Sequence, residues 1–179
     1  MFALLSFAAL SLAEAKSADT LMAEAFARAK SEKKTVLLSF QASWCGWCHK
    51  LEDFLKLPEI KPIWDKRIVT VWLTVMESSE KKSNENPGGA DWLKKVGGEG
   101  SGIPFMAIFD NQGKMKINST RPADKSKPKD TGGNTGYPAA PEEIAWFMTM
   151  LKDAVPNMTA KERSIIETKL KSEAKKLKM

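Results

Sequence analysis

The chain has 179 residues, 42% of them apolar and 28% charged, with two cysteines, one histidine and a formal net charge of +6. These are the proportions of an ordinary soluble domain with room for a proper core. From Lys161 onward seven basic side chains face three acidic ones, so an excess of four sits on one terminal segment. With no interleaved aromatic recognition motif beside it, that charge reads as a solvated helix face, not a nucleic-acid or membrane surface.

Phe2 to Leu12 is an apolar run of eleven residues, too short to span a bilayer as a helix. Ala13-Glu14-Ala15 follows it with the small-x-small pattern of a cleaved export signal, although no Lys or Arg precedes the run. The expectation is a signal over 1–15 and a mature chain in an oxidising compartment, periplasmic or extracellular, with no integral membrane segment after cleavage. Without such a signal the chain would be cytoplasmic.

Ser17 or Asp19 caps a first helix running to about Lys30, with Met22, Ala25, Phe26 and Ala29 on its apolar face. Thr35 to Phe40 is a short apolar run, predicted as a strand buried on both faces. The cysteines come next, and Leu51, Phe54 and Leu55 recur at helical spacing until Pro58. Pro62 and Trp64 belong to a short helix or turn. Ile68 to Val75, mostly β-branched or aromatic, is a second strand.

After a polar stretch, a helix is predicted around Ala90 to Val96 and a strand over Phe105 to Phe109. Asp110-Asn111-Gln112-Gly113 is turn chemistry that returns Lys114 to Asn118 as a hairpin. Ser119 to Pro141, rich in Pro, Gly, Thr, Asn and Lys, reads as a long exposed loop. Pro141-Glu142-Glu143 opens a helix with Ile144, Phe147, Met148 and Leu151 inward. Pro156 breaks it, and a last helix runs from Thr159 or Ala160 to about Leu177, with Ile166, Leu170, Ala174 and Leu177 as its stripe. The alternation predicts an α/β fold, a central mixed sheet flanked by helices, with an extra C-terminal helix. Residues 16–155 form the expected domain and 156–179 its basic helical appendage.

Cys45-Gly46-Trp47-Cys48-His49 permits a redox pair, half of a zinc site, or a c-type haem anchor. With Cys45 capping a helix and Cys48 one turn in, the β-carbons lie roughly 5–6 Å apart, close enough for a disulfide. The unpaired N–H groups at the helix start favour a Cys45 thiolate, which makes Cys45 the exposed, attacking sulfur and Cys48 the buried, resolving one. A structural zinc needs four ligands, and Cys45, Cys48 and His49 exhaust the soft donors of the chain, so no metal is assigned. Haem stays an alternative: the chain holds nine methionines as possible axial ligands.

The segment TVLLSFQASWCGWCHKLE resembles the active-site segment of the thioredoxin superfamily, with W-C-x-x-C at a strand-to-helix junction. About sixty residues on, SGIPFMAIFDNQGK resembles the family's second hallmark, with Pro104 at the place of its cis-proline and Ile103 before it. The likeness covers roughly Leu21 to Met150 and is nearest to exported thiol–disulfide interchange proteins. It implies a thioredoxin-like fold and a thiol–disulfide oxidoreductase using Cys45 and Cys48, without a cofactor. Its partners would be protein disulfide substrates and a redox partner protein, bound by a monomer. Trp44, Gly46, Trp47, Ile103 and Pro104 would then meet the substrate chain, with His49 available to tune the thiolate. Proline has no N–H, so the Ile103 backbone is left to pair with an extended substrate.

The buried aspartate that thioredoxins carry six residues before the first cysteine is Ser39 here, which leaves Glu52, His49 or solvent as the base for Cys48. The run Gly97-Gly98-Glu99-Gly100-Ser101-Gly102 fails both phosphate-loop patterns at Ile103 and reads as backbone freedom beside Pro104. A redox-inert interaction module with the same fold is the third reading.

Overall fold

The computed structural model describes residues 15–127 and 130–177. The expected export signal therefore lies, but for Ala15, outside the described residues. Helix α1 (Ala18–Glu32) starts at Ser17, whose Oγ accepts the Thr20 N–H, and ends at Lys33 in the left-handed region. Asp19, the other candidate cap, instead accepts the Trp92 indole N–H at 2.7 Å. Strand β1 (Thr35–Gln41) is buried on both faces over its first six residues, as its unbroken apolar run requires.

Helices α2 (Gly46–Lys56) and α3 (Lys61–Arg67) lead into strand β2 (Ile68–Thr74). A 3₁₀ helix over Ser79–Asn84 and helix α4 (Gly89–Lys95) precede β3 (Phe105–Phe109) and β4 (Met115–Asn118). Asp110 shapes the hairpin by accepting the Gln112 and Lys114 N–H groups through one carboxylate oxygen. The sheet order is β2-β1-β3-β4. β2 runs parallel to β1, whereas β3 pairs antiparallel with both β1 and β4.

The pleat of β1 sorts two cores. Val36, Leu38 and Phe40 pack with Met22, Ala25 and Ala29 of α1 and with Trp92 and Leu93 of α4. Leu37, one residue out of phase, joins Leu51, Phe54, Trp64, Phe147 and Leu170 on the other face. Ser39 falls on that second face by the same period, fully buried, and its hydroxyl has no hydrogen-bond partner among the described residues. Gly98 is a packing glycine: a Cβ there would stand 2.4 Å from Leu93 Cδ1 and 2.9 Å from the Phe105 ring.

The stretch 119–141 departs from the expected exposed loop. It holds a two-stranded sheet of β5 (Thr120–Arg121) and β6 (Gly133–Asn134), and Ser119, Thr135 and Tyr137 are buried. Its polar residues complete backbone pairing instead of meeting water. Ser119 Oγ accepts the Met106 N–H, and Thr135 N–H donates to the Ser119 carbonyl. Arg121 and Asp130 form a bidentate pair with both N···O distances 2.6 Å. Polarity in sequence marks a need for partners, which a neighbouring strand meets as well as solvent.

Helix α5 (Pro141–Ala154) buries Ile144, Phe147, Met150 and Leu151, while Met148, expected inward, is half-buried. Helix α6 (Ala160–Lys176) starts at Thr159, which exchanges hydrogen bonds with Glu162. It lays Ile166, Leu170 and Ala174 into the second core. Leu177, expected on the same stripe, is 38% exposed, since it lies past the last full turn of the helix. Arg67 and Glu162 tie α3 to α6 at 2.9 Å, and Lys169 pairs with Glu59 at 2.7 Å.

Candidate active site

The parallel pairing of β1 and β2 ends level, with Gln41 opposite Thr74 and the Val75 N–H donating to the Gln41 carbonyl at 2.8 Å. The turn Ala42–Cys45 leaves β1 there, closed by the Cys45 N–H on the Ala42 carbonyl. Cys45 is the N-cap of α2 in extended conformation, and the Cys48 N–H donates to its sulfur at 3.1 Å. The same amide also lies 3.1 Å from the Cys45 carbonyl oxygen, so its hydrogen is shared between the two acceptors of the helix start. Cys45 and Cys48 form a disulfide, with Cα atoms 5.3 Å apart.

On the other side stands the Ile103–Pro104 peptide, which is cis. Cys45 Sγ lies 3.6 Å from the Ile103 carbonyl oxygen, and Cys48 Sγ 3.9 Å from that of Phe40. The two segments read from sequence as a pair therefore meet at the sulfurs. Cys45 is 3% exposed and Cys48 1%, so in the disulfide form the expected exposed sulfur is covered, by its bonded neighbour and by Ile103. Among the described residues the Ile103 N–H and carbonyl pair with no backbone group. The carbonyls on either side of Ile103, those of Gly102 and Pro104, accept the Asn134 amide N–H₂ at 2.7 and 3.1 Å.

The two tryptophans are placed differently from one another. Trp44 is 60% exposed and its indole N–H donates to the Met76 carbonyl at 2.7 Å. Trp47 is 49% exposed, with its ring stacked on Tyr137 at 6.0 Å between centroids. A side chain at Gly46 would meet open space. His49 is exposed, and its Nε2 lies 3.1 Å from the Ser43 carbonyl oxygen, which that nitrogen serves as a donor. Glu52 is paired with Lys56 at 2.7 Å along α2.

Three residues of this region escape a motif-based reading. Glu77 is 8% exposed, and its carboxylate accepts both the Ser43 N–H at 2.7 Å and the Ser43 hydroxyl at 2.8 Å. The Ser43 amide holds that carboxyl below its ordinary range. Its signal was available in the sheet order, because residues just past the end of β2 land beside those just past β1. Tyr137 is buried between Trp47 and Phe54, and Glu143 stands at the start of α5. Both belong to a cleft of about 630 Å³ that runs from Trp47 and Ile103 to Glu143. Neither carried a sequence signal for the site, since Tyr137 lies within the stretch read as loop and Glu143 reads only as part of a helix start.

The thioredoxin-like family model matches residues 18–111, just over half of the chain. No curated protein matches it. Among solved structures, the chain is similar to a disulphide isomerase from Xylella fastidiosa Temecula1, with 22% identity, 64% of this chain and 80% of that chain covered, and a TM-score of 0.48. It is similar to the C-terminal domain of Neisseria meningitidis DsbD in the oxidised form at 23% identity, covering 59% and 84%, with a TM-score of 0.43. A structure titled DsbH oxidoreductase shares 20% identity over 87% of this chain and 94% of its own, also at a TM-score of 0.43. Matched over more than half its length by that family model, the chain belongs to the thioredoxin-like family, and it carries the cysteine pair of a thiol–disulfide oxidoreductase.

Proposed function

We propose that this chain exchanges disulfides with exported proteins, with Cys45 as the attacking sulfur and Cys48 as the resolving one. The observation that carries the assignment is the placement of Cys45 Sγ at the N-terminus of α2, where the Cys48 N–H, shared with the Cys45 carbonyl, reaches it at 3.1 Å. An undivided hydrogen bond to a charged group contributes about 1.5–3 kcal/mol; the shared one here contributes less, and it favours a thiolate on Cys45 rather than on Cys48. In the reduced protein the Cys45 thiolate attacks one sulfur of a client disulfide, and the other client sulfur leaves as a thiolate that takes up a proton. Cys48 then gives up its proton and attacks Cys45 Sγ, which frees the second client thiol. The client gains two electrons, the Cys45–Cys48 disulfide forms, and a redox partner protein restores the dithiol. In the reverse sense the same steps oxidise a client.

The unpaired Ile103 backbone supports an extended client chain laid beside Pro104, strand against strand. Trp44, Gly46 and Trp47 edge that position, the glycine leaving room for the client backbone. His49, tied to the Ser43 carbonyl, is a positioning residue for the turn before Cys45. The sequence pattern over 1–15 supports export, and among the described residues no helix is long and apolar enough to cross a membrane. The haem reading fits this setting less well, since both sulfurs face one another under Ile103.

The test is a pair of variants assayed on a reducible protein disulfide. Cys45→Ser abolishes turnover, whereas Cys48→Ser accumulates a client–Cys45 mixed disulfide that dithiothreitol releases. Full turnover by Cys45→Ser overturns the assignment, and a pair that exchanges with no client disulfide indicates the redox-inert module.

A further inference from the structure

Resting on that reading, we infer that the cleft beside Ile103 selects clients with a basic residue next to the reacting cysteine, and that Glu143 is the residue that selects them. The cleft has two walls. One is the Trp47 and Ile103–Pro104 edge of the thiol site, and the other is contributed by Asn134, Tyr137 and Glu143. In the second wall, Asn134 and Tyr137 come from the 119–141 stretch and Glu143 from the first turn of α5. Asn134 stitches the walls together through the Gly102 and Pro104 carbonyls, which fixes their separation before a client arrives. Those bonds leave Ile103 as the segment whose N–H and carbonyl are open to a client backbone. A strand paired there runs along the cleft with alternate side chains directed into it.

Glu143 is the one charged side chain among the described residues lining that cleft, in a chain whose net charge is +6. Its orientation is fixed: Oε2 accepts the Ala139 and Ala140 N–H groups at 3.0 and 2.8 Å. Oε1 makes no hydrogen bond among the described residues and is available to a cation. Trp47 and Tyr137 form a stacked apolar ledge on which the methylene stem of a lysine or arginine packs. The positive end of α5 offsets part of the carboxylate charge, so a client with lysine is favoured over one with glutamate by about tenfold rather than more.

The experiment uses the oxidised full chain and three synthetic peptides that are identical except for Lys, Ala or Glu next to a serine in place of the reacting cysteine. Calorimetric affinities are expected in the order Lys, Ala, Glu, with a Lys-to-Glu ratio of about ten. E143Q, whose amide oxygen still accepts the two N–H groups, brings that ratio to within about twofold. E142Q, an exposed neighbour outside the cleft, leaves it in place. A wild-type ratio within twofold, a ratio that survives E143Q, or one lost equally in E142Q overturns the inference. The same peptides joined through cystine measure turnover separately: lysine-selective binding with no turnover supports the cleft assignment and overturns the exchange reading instead.

Discussion

Replacing Tyr137 with alanine removes the aromatic that joins the 119–141 stretch to the thiol site. Tyr137 is 6% exposed, stacked on Trp47 at 6.0 Å and edge-on to Phe54 at 6.4 Å. Truncating a large aromatic in a core costs about 3–5 kcal/mol, of which each aromatic pair supplies about 0.5–1.5. This ring borders two surface clefts, so water and neighbouring side chains fill part of the space it leaves. The expected loss for Y137A is therefore about 2–3 kcal/mol, a fall in Tm of roughly 5–10 °C for a chain of this size. Trp47 loses its stacking partner as well, so KM for a peptide disulfide rises about three- to tenfold. Y137F keeps the ring, and since the hydroxyl makes no hydrogen bond among the described residues, it changes neither quantity by more than about 0.5 kcal/mol. Urea and thermal unfolding with peptide turnover measure both. A Y137A protein with unchanged Tm and unchanged KM would refute the claim that this residue couples the 119–141 stretch to the site.

Tyr137 is the only tyrosine, so its ionisation can be read directly as tyrosinate absorbance. Desolvation raises its pKa from 10.0 to about 12, so stability is expected to fall as pH rises above 10, where the unfolded chain ionises first; ionisation near pH 10 would contradict the burial. Glu162 behaves with the opposite sign. The Arg67 guanidinium lowers its carboxyl pKa from 4.5 to about 2, so its stabilisation is complete above pH 4.5 and is lost as pH falls toward 2. An Arg67→Met variant should show a flatter acid limb in pH-dependent unfolding. Leu170→Ala, at a fully buried position of α6, should cost about 2–4 kcal/mol, and an unchanged urea midpoint would mean that α6 does not belong to the core. Glu77→Ala frees the turn before Cys45, and disulfide exchange should slow about tenfold or more with the helix content preserved.

How far the sequence reached depends on whether a residue's role is set locally. β1 was legible because an apolar run of that length has few places to go except a sheet covered on both faces. Cys45 and Cys48 were legible because the constraints on them are short-range, a helix start and a spacing of three, whereas Pro104 was legible only through the resemblance of its segment to the family's second hallmark. The 119–141 stretch misled because Ser119, Asn134 and Thr135 look like solvent-seeking residues, when their partners are one another and backbone groups of β3 and its neighbours, up to 32 residues away. Glu77 was missed for a related reason. Its partner is Ser43, and 34 positions of chain separate them until the parallel register of β1 and β2 brings them together. Ser39 shows a third situation, a position legible as unusual whose hydroxyl finds no partner among the described residues.

The measurement closest to the central claim is a redox titration of the full chain against glutathione, followed by counting free thiols with an alkylating agent. The sequence contains two cysteines, so each titrated molecule must release two thiols in a single two-electron step, and brief alkylation should modify Cys45 well before Cys48. A pair that stays oxidised from roughly −120 to −300 mV, or that is alkylated first at Cys48, would contradict the account.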